Sequence, residues 1–333
     1  MPSNSPTALF MTNSKPLLTI LITTYNRAPL LHALLGLLDG YRKRGLHFDI
    51  IVSNDHSTDD TQALCGQWQE RMPNLRYVET QVHEGMDPNF IRAYSACTTD
   101  YCWLLGDARF VSYEGLNTLL QTLEQRRYDA LILNCHPALT LPDATYTDIN
   151  RLMADLGWQI TNNASCVIPT AYATPAVYQR YVGTTFLHMG IMVENLCRAS
   201  HFQVRYLSEV RVENLEIPHY TKQSWTCHPF LNFGKLWYEF VLSLPQQVNE
   251  KVKQQVLLDH NRYTQLLAPH KLPGMKVAFG RIFVENYKAC RAYVPHVSTA
   301  PLWLYDLIIL WVPTSWLRIM LRVFKYFRHV INP

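Results

Sequence analysis

Residues 17–25 read LLTILITTY, a nearly continuous apolar run of β-forming residues with polar side chains at its end. A helical pattern follows, with Pro29 near its start and Gly45 after its end. The same alternation continues to residue 135. Strands are predicted at 48–55, 75–80, 101–107 and 128–135, and helices from about Ser57, from Asp87–Pro88 and near 113–127. This order predicts an α/β fold with a mainly parallel sheet covered by helices on both faces.

The composition of the 333 residues is typical of a folded chain with a large core. Hydrophobic residues make up 48% and charged residues 17%, which is more apolar than most soluble proteins. The eight cysteines show no CxxC pair and no metal-ligand spacing, so reduced thiols are expected. Residues 1–16 lack the basic and apolar regions of a secretory signal, which predicts a cytoplasmic catalytic part.

The positive charge is concentrated at the C-terminal end. Residues 301–333 contribute +3 of the net charge of +4, which argues against a broad nucleic-acid-binding surface. The tail carries cations at helical spacing and apolar neighbours: Arg318, Arg322, Lys325, Arg328, Trp316, Met320, Phe324, Phe327 and Ile331. The apolar run 302–312 is too short to span a bilayer. A basic amphipathic helix predicts contact with an anionic membrane, and oligomerisation or core packing is the alternative.

Polar clusters follow three of the predicted strands, at residues 23–27, 54–61 and 106–109. Open α/β sheets bind ligands outside the carboxyl ends of their strands, where helix N-termini supply donors for phosphate. The three clusters therefore predict one ligand site at this edge of the sheet.

Four segments, in this order and spacing, resemble family 2 glycosyltransferases over about residues 17–200. They are TTYNR (23–27), SNDHSTDDT (53–61), HEGMDPNFIRAYSACTTDYCWLLGDAR (83–109) and FLHMGIMVENL (186–196). They look similar in particular to bacterial deoxyhexose transferases related to abequosyltransferase. The resemblance implies a GT-A (Rossmann-like) fold and inverting transfer of a single sugar, such as a deoxyhexose, from a nucleotide diphosphate sugar.

The implied acceptor is a lipid-linked or surface glycan in O-antigen, capsule or exopolysaccharide biosynthesis. A lipid-linked acceptor, with the basic tail, implies a peripheral position at the inner face of the cell membrane. The QxxRW motif of processive synthases does not occur, which favours single addition. Nucleotidyl transfer would require a glycine- and lysine-rich loop after the first strand, and TTYNRAPLL is not one.

The donor site is expected to begin with Thr23, Tyr25 and Arg27. Tyr25 is predicted to pack on the base, and Arg27 to reach ribose or phosphate. Asp55 resembles the family aspartate that binds the pyrimidine. Because a carboxylate only accepts hydrogen bonds, Asp55 suits the N3–H of uracil or thymine and favours a UDP- or dTDP-sugar over a CDP-sugar, unless it binds ribose or the cytosine amino group instead.

Two further polar groups have structural alternatives. Asn89 resembles an asparagine that the family places near the donor, but Asp87, Pro88 and Asn89 also open a helix. Ser57 and Asp60 have the spacing of a capping box, which predicts that they start the helix after the second strand.

The fourth strand departs from the family pattern. Relatives carry a DxD or DDD cluster that holds Mg²⁺ or Mn²⁺, whereas this chain reads Gly106-Asp107-Ala108-Arg109. Either Asp107 alone holds a weakly bound metal, or Arg109 neutralises the diphosphate directly through a bidentate contact. A third alternative is a catalytically impaired scaffold in a glycan-assembly complex.

The family usually places an acidic base about eighty residues beyond the metal motif. His188 occupies roughly that place, and Glu194 follows six residues later on the same predicted helix, so the two side chains would point differently. His188 is the first candidate base and Glu194 the second, with a packing role as the alternative for His188. The stretch containing His219, Tyr220, Lys222 and Trp225 is predicted to close over donor or acceptor.

The expected organisation has three parts. A GT-A domain covers residues 1–225, with a nucleotide-sugar half at about 17–135 and an acceptor half at about 136–225. A helical extension covers 226–300, and a basic amphipathic membrane-associating tail covers 301–333.

Overall fold

The computed structural model describes residues 15–217 and 227–331, with side chains through Val323. Strands and helices alternate as far as Asn214, and the chain is helical after residue 230. The strands are β1 (Leu18–Thr24), β2 (Asp49–Asn54), β3 (Leu75–Glu79), β4 (Tyr101–Leu104), β5 (Arg109–Val111), β6 (Ala130–Asn134), β7 (Ala144–Tyr146), β8 (Cys166–Pro169) and β9 (Val204–Asn214).

The helices fall into two groups. Seven accompany the strands: α1 (Ala28–Lys43), α2 (Thr61–Arg71), α3 (Met86–Ala96), α4 (Tyr113–Gln125), α5 (Ile149–Leu156), α6 (Pro175–Tyr181) and α7 (Leu187–Arg198). The later ones are α8 (Trp237–Ser243), α9 (Glu250–Thr264), α10 (Leu272–Cys290), α11 (Val294–Val297), α12 (Leu302–Asp306) and α13 (Thr314–Ile331). Two π-helical stretches, Leu231–Leu236 and Leu307–Trp311, run directly into α8 and out of α12.

The strands of the described residues form one sheet in the order β3-β2-β1-β4-β8-β6-β9-β5, with β7 beside β9. The first four strands are parallel, as predicted, and Thr24 lies opposite Asn54. β8, β5 and β7 run antiparallel to their neighbours. The predicted α/β fold with helices on both faces is confirmed, but the sheet is mixed rather than mainly parallel. The difference arises in the second half of the sheet, where β8, β5 and β7 pair with strands that are distant in the sequence and run in the opposite direction.

Alternate strand residues supply two apolar layers, because side chains point to opposite faces along a strand. Ile20 and Val52 belong to the layer covered by α1, α2 and α4. Leu21 and Ile51 belong to the layer covered by α3, α5 and α7. The second layer continues into the helical extension through Trp237, Phe283 and Tyr305, so the sheet and the later helices share one core.

The predicted capping box at Ser57 and Asp60 is wrong. α2 begins four residues later, at Thr61, and Asp60 makes no side-chain cap. The Ser57 hydroxyl accepts from Asn26 N at 2.8 Å and donates to Asn54 Oδ1 at 2.5 Å. The hydroxyl therefore joins the loops after β1 and β2 instead of starting a helix.

Gly190→Ala is expected to destabilise the fold by about 1–3 kcal/mol through overpacking. A Cβ at Gly190 would lie 2.4 Å from Tyr181 Cγ. Tyr181 is fully buried and its hydroxyl donates to Glu194 at 2.8 Å, so the ring has no room to withdraw. Urea unfolding followed by circular dichroism measures the change.

Gly36→Ala is the matched control, because Gly36 lies inside α1 with no atom within 4 Å of an added Cβ. Alanine there should stabilise the protein by about 0.5–1 kcal/mol, as in an exposed helix. A similar shift in both variants would contradict close packing at Gly190.

Candidate active site

The carboxyl ends of β1 and β4 are joined by Asp107, which is 3% exposed. Thr24 Oγ1 donates to Asp107 Oδ2 at 2.9 Å, and Arg27 Nη1 donates to Oδ1 at 3.1 Å. Burial raises the pKa of Asp107, whereas Arg27 and Thr24 act to lower it. Gly106 makes the turn before Asp107 with φ +77°, a conformation that favours glycine. Arg27, predicted to reach ribose or phosphate, therefore contacts the metal-motif aspartate here.

Arg109 begins β5 two residues after Asp107 and is half-buried. Burial lowers the pKa of Arg109, since a guanidinium is less well solvated there. Within the described ranges its guanidinium has no carboxylate partner. A half-buried guanidinium with its donors unused is suited to bind an anion such as phosphate.

This edge of the sheet fits an anion better than a divalent cation. Both oxygens of Asp107 already accept hydrogen bonds, and Arg27 places a positive charge beside them. In the part of the chain that the structure describes, no three His, Cys, Asp or Glu side chains converge as a metal site would require. Mg²⁺ at a phosphate site is usually held by one or two carboxylates together with substrate phosphates and waters, and here Asp107 would supply the carboxylate.

An aromatic pair lies at the ends of β1 and β2. The rings of Tyr25 and His83 are stacked with centroids 4.0 Å apart and an interplanar angle of 17°. His83 Nδ1 lies 2.8 Å from Asp55 Oδ2, and half of the His83 side chain is exposed. Tyr25 and Asp55 are thus brought together as predicted. Sequence reasoning missed His83, because the HEG segment has no spacing that ties it to Tyr25.

Asp55 also holds the loop that precedes α3. It is 2% exposed, and its carboxylate accepts from Glu84 N at 3.0 Å and from Gly85 N at 2.8 Å. With His83 this makes three contacts, while a carboxylate offers about four acceptor positions. One acceptor position of Asp55 is therefore not used by these contacts, although the carboxylate itself is buried.

Asn89 is buried and fixes α3 against β1 and β2. Ser53 Oγ donates to Asn89 Oδ1 at 2.6 Å, and Arg92 Nη1 donates to the same oxygen at 3.1 Å. Asn89 Nδ2 donates to Thr24 O at 3.4 Å, and Arg92 also pairs with Glu84. The structure gives Asn89 a positioning role, and its contact with a donor stays a prediction. The half-buried Thr23 lies opposite Ser53 in the strand register.

Asp87 connects the first turn of α3 to the turn before α7. Its Oδ2 accepts from Gly183 N at 2.7 Å, 96 residues later in the chain, and the Thr185 backbone also bonds to it. Thr185 has φ +68°, a strained conformation for a β-branched residue. Asp87 Oδ1 is buried and has no hydrogen-bond partner in the described parts of the chain, and burial raises the pKa of this carboxyl. The sequence indicated only a helix start here, because the contact is far from local.

His188 lies in the first turn of α7 and is 2% exposed. Its Nε2 is 2.8 Å from Ile160 O, and since a carbonyl only accepts, Nε2 carries the proton. Burial lowers the pKa of His188 to about 4, so the ring is neutral near pH 7. Nδ1 is therefore a bare acceptor, and it has no partner among the residues that the structure describes. Ile160, which binds His188, is three residues before Asn163. A Cβ added at Gly106 would lie 3.6 Å from Asn163 Nδ2, so this segment passes close to the turn before Asp107.

Glu194 is occupied by structural contacts. Arg180 Nη1 lies 3.0 Å from Oε2, Arg198 Nη2 lies 2.8 Å from Oε1, and the Tyr181 hydroxyl donates at 2.8 Å. The side chain is buried and holds α6 against α7. The structure does not bring a free Glu194 oxygen to the His188 end of α7. The stretch that was predicted to close over donor or acceptor, with His219, Tyr220, Lys222 and Trp225, lies outside the described residues.

The chain matches a known protein family over much of the part that forms the sheet. Residues 19–182 match the family described as Glycosyl transferase family 2. Over 107 residues the chain is 32% identical to abequosyltransferase RfbV of Salmonella typhimurium, covering 32% of each protein. Over 67 residues it is 39% identical to validoxylamine A glucosyltransferase of Streptomyces hygroscopicus subsp. jinggangensis, covering 20% of this chain and 16% of that protein. The matches span about a third or less of these curated relatives.

Two solved structures share the fold over most of the chain. S. aureus TarS 1–349 in complex with UDP-GlcNAc has a TM-score of 0.54 at 13% identity, covering 83% of each chain. The mannosyltransferase PcManGT from Pyrobaculum calidifontis, in complex with GDP-Man and Mn²⁺, has a TM-score of 0.51 at 14% identity. The latter match covers 85% of this chain and 83% of PcManGT. At these identities the likeness shows a common GT-A fold.

Proposed function

We propose that this chain, which belongs through residues 19–182 to the family 2 glycosyltransferases, moves one sugar from a nucleotide diphosphate sugar to a saccharide hydroxyl. The observation that carries this proposal is the pairing of two sites on adjacent strand ends. An aromatic and acidic site, Tyr25, His83 and Asp55, lies beside the ion pair of Asp107 and Arg27, and Arg109 follows Asp107 by two residues at the start of β5. The chemical groups of a nucleotide sugar come in the matching order, with a flat base followed by a diphosphate.

The nucleoside end is assigned to the stacked pair. The base packs on the exposed side of the Tyr25 and His83 rings, and the remaining acceptor position of Asp55 takes the N3–H of uracil or thymine. A UDP- or dTDP-sugar is therefore the first donor class to test. A dTDP- or UDP-deoxyhexose has priority within it, because of the similarity to an abequosyltransferase.

The diphosphate end is assigned to the two arginines. Arg109 binds the diphosphate with its unused donors, and Arg27 keeps one nitrogen on Asp107 while its other donors reach the phosphate. Their charges stabilise the negative charge that develops on the leaving group. This arrangement supports transfer without a divalent metal, and a metal held by Asp107 is the alternative outcome.

The acceptor hydroxyl is assigned to the His188 end of the site. Its oxygen bonds to the anomeric carbon as the bond from that carbon to the diphosphate breaks, and its proton passes to His188 Nδ1. A single displacement of this kind inverts the anomeric centre. Neutral His188, fixed by Ile160 O, has its lone pair on Nδ1, whereas its burial and lowered pKa make it a weaker base than an ordinary histidine. Glu194 is assigned to holding α6 and α7 together.

The purified full chain should transfer sugar from at least one donor in a panel of UDP-, dTDP-, GDP- and CDP-sugars. Lipid-linked saccharides serve as acceptors, and mass spectrometry of the product identifies the added sugar. Each reaction is run with EDTA and with Mn²⁺, which separates metal-free transfer from metal-assisted transfer. Calorimetry with UDP and dTDP runs in parallel. Absence of both transfer and nucleotide binding across the panel would favour the scaffold alternative.

A further inference from the structure

The last helices expose a row of large apolar side chains. In the stretch from α12 to Trp311, Trp303, Leu307 and Trp311 are 64%, 44% and 75% exposed. In α13 the exposed set is Trp316, Ile319, Met320 and Val323, each at least 49% exposed. The spacings i, i+4, i+8 and i, i+3, i+4, i+7 each place the side chains on one helical face. We name these seven residues the docking face.

The opposite sides of the same helices are packed into the protein. Tyr305, Ile309 and Leu317 are 0%, 0% and 2% exposed. Arg291 Nε and the Tyr287 hydroxyl each donate to Asp306 Oδ1 at 2.7 Å. Both helices therefore present one apolar face inward and a second apolar face outward, whereas a surface helix of a soluble protein exposes polar residues.

The bend between the helices is held in place. The axes of Leu302–Trp311 and Thr314–Val323 meet at 102°. Lys276 is 6% exposed and its Nζ donates to Val312 O at 2.6 Å and to Ile308 O at 3.4 Å, where the helix breaks. In the described ranges no single helix is long and apolar enough to cross a membrane. The two helices of this bent pair reach the necessary length and apolar composition only when they are taken together. Straightening the pair would turn these two carbonyls to intrahelical donors and leave the buried Lys276 ammonium without its acceptors.

We propose that the docking face inserts into one leaflet of an anionic membrane and does not span it. The ten residues Leu302–Trp311 are about 15 Å long as a helix, which is half of a hydrocarbon core of about 30 Å. Three exposed tryptophans suit the interface between headgroups and acyl chains. This inference does not depend on the proposed transferase activity.

Charge favours a membrane over a second copy of the chain. Arg318 and Arg322 are exposed on α13 and, in the part of the chain described, pair with no carboxylate. A symmetric pair of copies would bring these cations together, whereas anionic lipid headgroups would neutralise them. The docking face therefore has an apolar side for acyl chains and basic residues for the headgroups around it.

Vesicle sedimentation with the full chain tests the proposal. Wild type is expected to bind phosphatidylcholine vesicles that contain about 30% phosphatidylglycerol and to bind pure phosphatidylcholine at least about 10-fold more weakly. Trp303→Ser, Trp311→Ser and Trp316→Ser together should lower the bound fraction by at least about 10-fold. Leu242→Ser, which changes a 38% exposed residue of α8, is the matched control and should bind like wild type.

Brominated lipids provide a readout that needs no variant. Outside the docking face, the tryptophans of the described residues, Trp68, Trp103, Trp158 and Trp237, are all at most 6% exposed. The triple variant keeps Trp225, so quenching that is lost in it comes from the docking face. Quenching of wild type, and its loss in the triple variant, would support insertion. Wild type that stays unbound and unquenched would overturn the proposal. So would a docking-face dimer in analytical ultracentrifugation that binds no vesicles.

Discussion

Arg109→Ala is expected to weaken the binding of UDP or dTDP in EDTA by about 100-fold, because a charge-assisted bidentate contact to phosphate is lost. Arg109 is half-buried and has no carboxylate partner within the described residues, so its substitution leaves no acid unpaired. The protein should therefore keep its fold while its affinity for the diphosphate falls. Isothermal titration calorimetry with UDP and with uridine measures the loss, and uridine affinity should be unchanged.

Two substitutions calibrate this result. Arg127→Ala removes an arginine whose side chain is 81% exposed and which pairs with Asp100, and it should leave UDP affinity at the wild-type level. Arg109→Lys keeps the charge but loses the planar fork, and its affinity should fall between wild type and alanine. If Arg109→Ala binds UDP in EDTA as tightly as wild type does, the arginine mechanism fails. Binding by wild type that appears only with Mn²⁺ would support the metal alternative at Asp107.

His188→Gln should lower kcat by about 10²- to 10⁴-fold, the usual contribution of a general base. The glutamine amide can still donate to Ile160 O, so the hydrogen bond at 2.8 Å is kept while the basic nitrogen is removed. Donor affinity should change little, because the nucleotide contacts lie on other strand ends. Initial rates at saturating donor and acceptor, with calorimetry on the same preparations, separate the two effects.

The pH dependence gives a second check on His188. Since burial lowers the pKa of His188 to about 4, the ring stays in its base form down to that pH. Turnover should therefore show no fall centred near pH 6.5, the value of an ordinary histidine. A limb at pH 6.5 that is absent in His188→Gln would contradict a buried base.

Asp87→Asn is the companion variant, because Asp87 Oδ1 is also buried without a partner. Asparagine can still accept from Gly183 N, so the turn before α7 should survive. Loss of turnover in Asp87→Asn together with full activity in His188→Gln would assign the base to Asp87.

Acid stability must be followed with these rates. An unfolded histidine binds a proton near pH 6.5, but His188 in the fold does so only near pH 4. The unfolded state therefore binds more protons between these values, and stability falls as pH drops through this window. His260, whose pKa is lowered to about 3 by burial, acts in the same direction. Circular dichroism at each pH distinguishes lost folding from lost catalysis.

Local patterns were enough to predict the first half of the fold. The runs at residues 17–25, 48–55 and 75–80 became β1, β2 and β3, because each is a parallel strand bounded by turn residues. β1 and β2 are buried, whereas β3 lies at the edge of the sheet and only Leu75 in it is buried. β5 and β7 are three residues long, which is too short to show the alternation of apolar and polar residues that predicts a strand. Their antiparallel pairing with β9 depends on contacts up to 105 residues distant, from Arg109 to Asn214.

The candidate site was predictable in its location but not in its internal contacts. Parallel strand ends must share one edge, so the polar residues after β1, β2 and β4 were correctly grouped. Nothing in the spacing indicates that Arg27 pairs with Asp107, or that His83 stacks on Tyr25. Those contacts depend on side-chain directions in the loops. The tie from Asp87 to Gly183 has the same origin, since it joins two turns that only the packed sheet brings together.

One continuous core extends from Leu21 in β1 to Tyr305 and Ile309 near the docking face. This core fixes the distance between the sheet and the docking face. When that face rests on a membrane, the sugar-transfer edge stands at one height above the lipid and at one tilt. A glycan growing from a lipid in the same leaflet would then offer its hydroxyls at heights set by its number of residues. The height of the site above the lipid would therefore help to decide which hydroxyls of such a glycan can reach it.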